Sequence, residues 1–171
     1  MAIPDNIVNF DCFWDDQYKH LDYQTEDFNN PKDVEIWLAQ GYSSKFTGAM
    51  CDVRRPQPSW NQQFVDYFAA LDWQDIGTSY YRMDTGTVLP VHRDRYKKYV
   101  ELFDLQGREY TIRRAIVFLE DWASGHYLEL NGVPVTGWRR GFAVIWAYDA
   151  PHMAANIGIT PRYTLQITGH L

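Results

Sequence analysis

Residues 127–135 read YLELNGVPV. Two short runs of strand-favouring residues flank Asn131-Gly132. A two-residue connection that needs positive φ at both central positions is a type I′ turn, and Asn-Gly is its preferred filling. The stretch therefore predicts an antiparallel hairpin. Strand-like runs extend outward from it: IGTSYYRM (76–83), TVLPVH (87–92), KKYVELF (97–103), YTIRRAIVFL (110–119), HYLEL (126–130), VPVTGW (133–138), FAVIWAY (142–148) and RYTLQITG (162–169). Short strands separated by turn residues, about eight in all, make an antiparallel sandwich or barrel of the jelly-roll kind. Upstream there are two helix signals. NNPKDVEIWLAQG (29–41) has Asn30 as cap, Pro31 at the first helical position and Gly41 just past the end. SWNQQFVDYFAALDW (59–73) has Ser59 and Gln62 in capping-box spacing and Trp60, Phe64, Phe68 and Leu71 at helical spacing. The expectation is one domain over 1–171, mainly β with flanking helices. Residues 1–75 would form a helical support region covering one sheet face, and 76–171 the jelly-roll core.

Composition bounds the function. A chain of 171 residues, 46% hydrophobic and 22% charged, suits one soluble globular domain. A net charge of −6 favours neither nucleic acid nor an anionic membrane as partner. Arg93, Arg95, Lys97 and Lys98 nevertheless form a local basic cluster. Two cysteines, Cys12 and Cys51, allow one disulfide but no disulfide framework. The N-terminus lacks a basic segment followed by an apolar one, and no run of about 18 apolar residues occurs. The expected location is the cytoplasm.

The chemistry starts at VLPVHRDRYKKY, residues 88–99. In an extended segment, positions i and i+2 share a face, so His92 and Asp94 aim a nitrogen and an oxygen at a common point. That makes either a surface ion pair or two metal ligands. His-Arg-Asp also occurs in kinase catalytic loops, but Tyr99 stands where a kinase needs Asn, and no DFG follows. Of the five histidines, His152 follows a very apolar strand, while His20 and His170 near the termini are expected to be solvent-exposed and His126 to sit at a rim. Asp149 is expected as a turn former. In the last strand Arg162, Thr164 and Gln166 share one face and Tyr163, Leu165 and Ile167 the other. The polar face either meets solvent or lines a polar cavity.

His92-Arg93-Asp94, a gap of 57 residues, His152, and Arg162 ten positions further on resemble the pattern of the Fe(II)/2-oxoglutarate-dependent dioxygenase superfamily. The general look is nearest to its prolyl and aspartyl/asparaginyl hydroxylase branches. The resemblance spans about residues 76–169 and includes Gly86, the strand IRRAIVFLEDW, Gly125, Gly141 and Arg-x-Thr in the last strand. It implies a double-stranded β-helix of cupin-like form. It implies Fe(II) on His92, Asp94 and His152, with 2-oxoglutarate and O₂ taking the three open positions. Arg162 would clasp the far carboxylate of 2-oxoglutarate, helped by Thr164. Prolyl hydroxylases commonly carry a Tyr where Leu89 stands here, so a further contact is expected from Tyr80, Tyr81 or Arg82, or from Arg113 or Arg114. Related halogenases replace the carboxylate with a small residue. The presence of Asp94 therefore implies hydroxylation, with release of succinate and CO₂.

The implied substrate is an amino-acid residue in a peptide, or a small amino acid. Trp122, Trp138 and Trp146 are candidates for the mouth of the site. The competing reading is a non-catalytic, Trp-rich jelly-roll binding module, which has no need of Arg162 at a fixed distance beyond His152.

Overall fold

The computed structural model describes residues 6–25, 27–43 and 45–171. Among the described residues, eleven strands form two antiparallel sheets. The strands are β1 (Ile7–Asn9), β2 (Gln24–Thr25), β3 (Ala49–Asp52), β4 (Gln74–Met83), β5 (Thr87–His92), β6 (Ile112–Phe118), β7 (His126–Leu130), β8 (Val133–Val135), β9 (Phe142–Ala147), β10 (His152–Asn156) and β11 (Arg162–His170). The major sheet has the order β1-β9-β6-β11-β4-β3-β2, and the minor sheet β5-β10-β7-β8. Three helices accompany them: α1 (Pro31–Ala39), α2 (Gln62–Ala69) and α3 (Lys97–Leu102).

The hairpin forms as the sequence requires. Leu130 pairs with Val133, and Asn131 and Gly132 adopt φ of 53° and 75°. The major sheet is covered on both faces, which explains the unbroken apolar run 115–119 at the end of β6. Ala115, Val117 and Leu119 pack in an outer layer with Phe64 and Phe68 of α2, together with Leu165 and Ile167 of β11. Ile116 and Phe118 point the other way, into the layer between the sheets, against Leu128, Leu130 and Ala154. Phe64 and Phe68, one helical turn apart, are fully buried, so truncating either to Ala would cost about 3–5 kcal/mol.

Several expectations are corrected. KKYVELF is helical, as α3, because Tyr96, Tyr99, Val100 and Phe103 recur at helical spacing and pack on Leu105 and Ile112. The Ser59 capping box does not form. Residues Ser59–Asn61 make a 3₁₀ turn, and α2 begins after it without a side-chain cap. Leu71 lies past the end of α2 and is exposed. The N-terminal region also supplies strands: β1 pairs with β9, and β3 with β4. Of α1 and α2, α2 alone covers the outer face of the major sheet, where Trp14 and Tyr18 join it. α1 sends its buried Trp37 to the other side, against Phe46 and His92. The Asn30 side chain makes no capping hydrogen bond, but the α1 bounds are as expected, with Asn30 before Pro31 and Gly41 (φ 91°) closing the helix. There Gly41 N donates to Leu38 O and Tyr42 N to Trp37 O, a Schellman pair. Cys12 and Cys51 are both free thiols. Among the described residues no helix is long and apolar enough to cross a membrane.

Candidate metal centre

β5 and β10 run antiparallel in the minor sheet with His92 directly opposite His152, their ring centroids 4.2 Å apart. β10 went unassigned in the sequence because HMAAN contains no β-branched residue. Asp94 lies two residues beyond the end of β5. Its Oδ1 is 3.6 Å from His92 Nε2 and 3.9 Å from His152 Nε2, outside hydrogen-bond range. One donor atom from each of the three residues lies within 4.8 Å of the other two.

The imidazoles are oriented by the backbone. His92 Nδ1 lies 2.9 Å from Pro90 O, and His152 Nδ1 lies 3.0 Å from Ala150 O. A carbonyl only accepts, so each Nδ1 carries the proton and each Nε2 presents a lone pair toward Asp94. Burial pushes the His152 pKa down to about 4, keeping the ring neutral at neutral pH, the form a metal needs. Burial works to raise the pKa of Asp94, but His92, Arg114 and His152 outweigh it and hold the carboxyl well below the usual range. Two ring nitrogens and one carboxylate oxygen converge within 4.8 Å of one another.

Arg114 fixes the carboxylate from behind. Its Nη2 is 3.4 Å from Asp94 Oδ2, its Nη1 donates to Gln166 Oε1 at 3.1 Å, and its guanidinium lies 5.1 Å from the centre of the Tyr96 ring. Tyr96 holds a left-handed backbone (φ 50°) beside the site, a conformation that a bulky residue rarely adopts. Arg113 points to the opposite face and donates to Tyr110 O and Ile112 O, away from the centre. β6 thus separates the two arginines named from the sequence.

From the centre a cavity of about 200 Å³ runs inward to β11. Arg162, Thr164 and Gln166 line it, so the polar face of that strand meets a cavity rather than solvent. Arg162 is 4% exposed and donates from Nη1 to Tyr127 O at 2.6 Å. Its Nε and the Oγ1 of Thr164 are buried without a hydrogen-bond partner. Among the described residues no carboxylate pairs with Arg162. Burial lowers its pKa to about 10, so it stays protonated at neutral pH. An unpaired buried cation beside an unsatisfied hydroxyl is costly unless an anion joins them. Tyr81 stands in the cavity wall across the strand pair from Thr164, and its hydroxyl accepts from Gly48 N at 2.5 Å. Tyr80 and Arg82 face the outer layer, Tyr80 donating to Asn61 Oδ1 at 3.0 Å and Arg82 pairing with Asp84 at 3.1 Å.

The remaining candidates scatter. Trp146 lines the cavity, and Trp138 is buried, stacked on Phe118 at 3.7 Å. Trp122 donates to His126 O at 2.8 Å, away from the cavity. His126 is buried rather than at a rim, with Nε2 2.9 Å from Thr160 O. His170 is also buried, its Nδ1 3.2 Å from the Tyr99 hydroxyl, whereas His20 is exposed. Asp149 is a turn residue (φ 68°) paired with Arg93 at 3.2 Å. The sequence reading missed the aromatic wall: Phe28 and Trp37 set their ring centroids 5.3 and 6.2 Å from that of His92. No local motif announces that contact, because it joins residues far apart in the chain.

No protein-family model matches the chain, and no curated protein matches it by sequence. Solved structures do match. A prolyl-4-hydroxylase from Pseudomonas putida superposes with a TM-score of 0.57 over 91% of this chain and 95% of that one, at 14% identity. A cupin protein from Bacteroides fragilis gives 0.42 over 87% and 85%, at 11% identity. At such identities the likeness is one of fold. The two-sheet architecture is that of a double-stranded β-helix.

Proposed function

We propose that the protein is an Fe(II)- and 2-oxoglutarate-dependent dioxygenase. It hydroxylates an unactivated C–H of an amino-acid residue in a peptide, or of a small amino acid, and releases succinate and CO₂. The observation that carries this reading is the pairing of two features in one cavity. A His92–Asp94–His152 cluster of metal-ligand character stands at one end. A buried arginine with no carboxylate partner among the described residues, beside an unsatisfied threonine hydroxyl, stands at the other.

The residues fit the group in charge and in donor type. His92 and His152 would give Nε2 and Asp94 would give Oδ1 to Fe(II), a donor set of two imidazoles and one carboxylate that leaves positions open. When bound, the iron and 2-oxoglutarate together supply the activation of O₂ and the oxidising power for attack on a C–H bond. The chain's own residues bind and orient. Arg162 offers its guanidinium and Thr164 its hydroxyl to the carboxylate remote from the metal. Arg114 holds Asp94 Oδ2, so that Oδ1 stays turned toward the histidines. Leu128, Ile116 and Trp146 give the cavity wall an apolar lining. Five of the seven tryptophans (Trp14, Trp37, Trp73, Trp138 and Trp146) are buried, which removes the exposed stacking platform that a Trp-rich binding module would present.

The test is to add Fe(II) and 2-oxoglutarate to the protein without air. A weak visible metal-to-ligand absorption should appear, and succinate should form only when O₂ is admitted. A protein that binds Fe(II) and yet gives neither signal would exclude the dioxygenase reading while leaving the metal centre intact.

A further inference from the structure

The metal cluster has a second opening. His92 and Asp94 line the inner cavity and also an outer groove of about 830 Å³. α1 forms one wall of this groove, the end of β5 and the loop after it form the floor, and Tyr148–Pro151 form the far wall. The centre therefore sits where a smaller inner cavity meets a larger outer groove.

The groove has a chemical character of its own. Ile36, Tyr42 and Val91 line it and are 53%, 39% and 55% exposed, an apolar strip left facing water. Its charges are mostly committed. Arg93 is held by Asp149 and Asp94 by Arg114, while Asp33, at the α1 side, takes a hydrogen bond from the neutral Asn30 amide. Two cations remain, Arg95 and Lys97, and neither has a hydrogen-bond or ion-pair partner among the described residues. They stand free beside the centre in a chain of net charge −6. A positive spot on an acidic protein attracts a local negative group while the rest of the surface repels a large polyanion.

We propose that this groove is the substrate site, and that it takes an extended peptide segment in which an acidic side chain, held by Arg95 and Lys97, lies close to the residue presented to the centre. The inference rests on the dioxygenase reading only for what happens at that centre, not for binding. Size favours a chain over a free amino acid, because the trough has about four times the volume of the inner cavity. The apolar strip offers places for neighbouring side chains, which alternate along an extended segment. Nucleic acid fits poorly. Its backbone needs a row of cations, and here the groove offers only two uncommitted ones and also carries Asp33 and Asp149.

The experiment uses an array of short random-sequence peptides in which each position is scanned with Asp, Glu, Asn, Gln and Lys, probed with the labelled full chain. Binding should favour Asp or Glu over the matching amides about three- to tenfold at a defined position, as expected of a two-cation surface contact. The preference should shrink as salt rises. It should vanish in Arg95→Gln/Lys97→Gln and turn toward Lys in Arg95→Glu/Lys97→Glu. All of this should persist after the metal is stripped with a chelator, because the groove does not need the metal. Equal binding of acids and amides, no binding to any peptide, or tighter binding to a single-stranded oligonucleotide overturns the proposal. A flat array together with the Fe(II)–2-oxoglutarate absorption sinks the groove alone. A selective array without that absorption sinks the dioxygenase reading alone.

Discussion

Replacing Arg162 by Met should make the unliganded protein more stable and unable to bind 2-oxoglutarate. Burial lowers the Arg162 pKa from its ordinary 12.5 to about 10. At about 1.4 kcal/mol per tenfold change in ionisation, keeping this charge in the fold costs about 3 kcal/mol at neutral pH. The variant removes that cost but also loses the 2.6 Å hydrogen bond to Tyr127 O, a charge-assisted bond of about 1.5 kcal/mol. The net gain is about 1–2 kcal/mol, or a rise in Tm of about 2–6 °C for a chain of this length. Ligand binding moves the other way. With Fe(II) present and air excluded, 2-oxoglutarate at a hundredfold excess over Kd should stabilise the wild type by about 2.7 kcal/mol. Losing the arginine should weaken binding by about 2–5 kcal/mol, which erases most of that stabilisation at the same concentration. One melting experiment reads both effects. If Arg162→Met melts below the wild type and still shifts with 2-oxoglutarate, the idea that this buried cation waits for a carboxylate is wrong.

Other expectations follow from particular contacts. Arg114→Gln should weaken Fe(II) affinity about 10- to 100-fold by freeing Asp94 Oδ2, read by anaerobic metal titration; unchanged affinity would show that Asp94 needs no backing. Gly125→Ala should cost more than about 2 kcal/mol in denaturant melts, since φ is +91° and the new Cβ would stand 2.2 Å from Gly158 N; a variant within about 0.5 kcal/mol of wild type would contradict this packing. Burial lowers the pKa of His126, outweighing the bond to Thr160 O that raises it. The unfolded chain then takes up a proton first, so the stability is full above the ordinary histidine pKa of about 6.5 and falls as pH drops below it. His126→Gln should show a flatter decline of Tm over that acid range; an identical slope would exclude His126 as its source.

Much of the site was legible because it depends on strict alternation. Arg162, Thr164 and Gln166 are two apart on one strand, so they had to share a face. His92 and Asp94 stand two apart where an apolar strand ends, and Asn131-Gly132 admits few turns. Pairing partners were not legible. His152 was found although its strand was not, because Ala154, Ala155 and Asn156 carry no strand preference and are held by β5 and β7 on either side. Which of Arg113 and Arg114 faces inward is set by register, with Arg114 opposite Thr168 and Trp146. The short strands β1, β2 and β3 owe their conformation to the sheet edges they join. The placement of α1 at the metal centre depends on Trp37 meeting Phe28, Phe46 and His92, contacts between segments distant in sequence.

The central claim is that His92, Asp94 and His152 hold one divalent metal ion. Anaerobic titration with Fe(II), followed by removal of free metal and a count of iron per chain, tests it directly. The account predicts one iron per wild-type chain. It predicts almost none in His92→Ala, Asp94→Ala or His152→Ala, with each variant still folded by circular dichroism. Full retention of iron in any two of those three variants would contradict it.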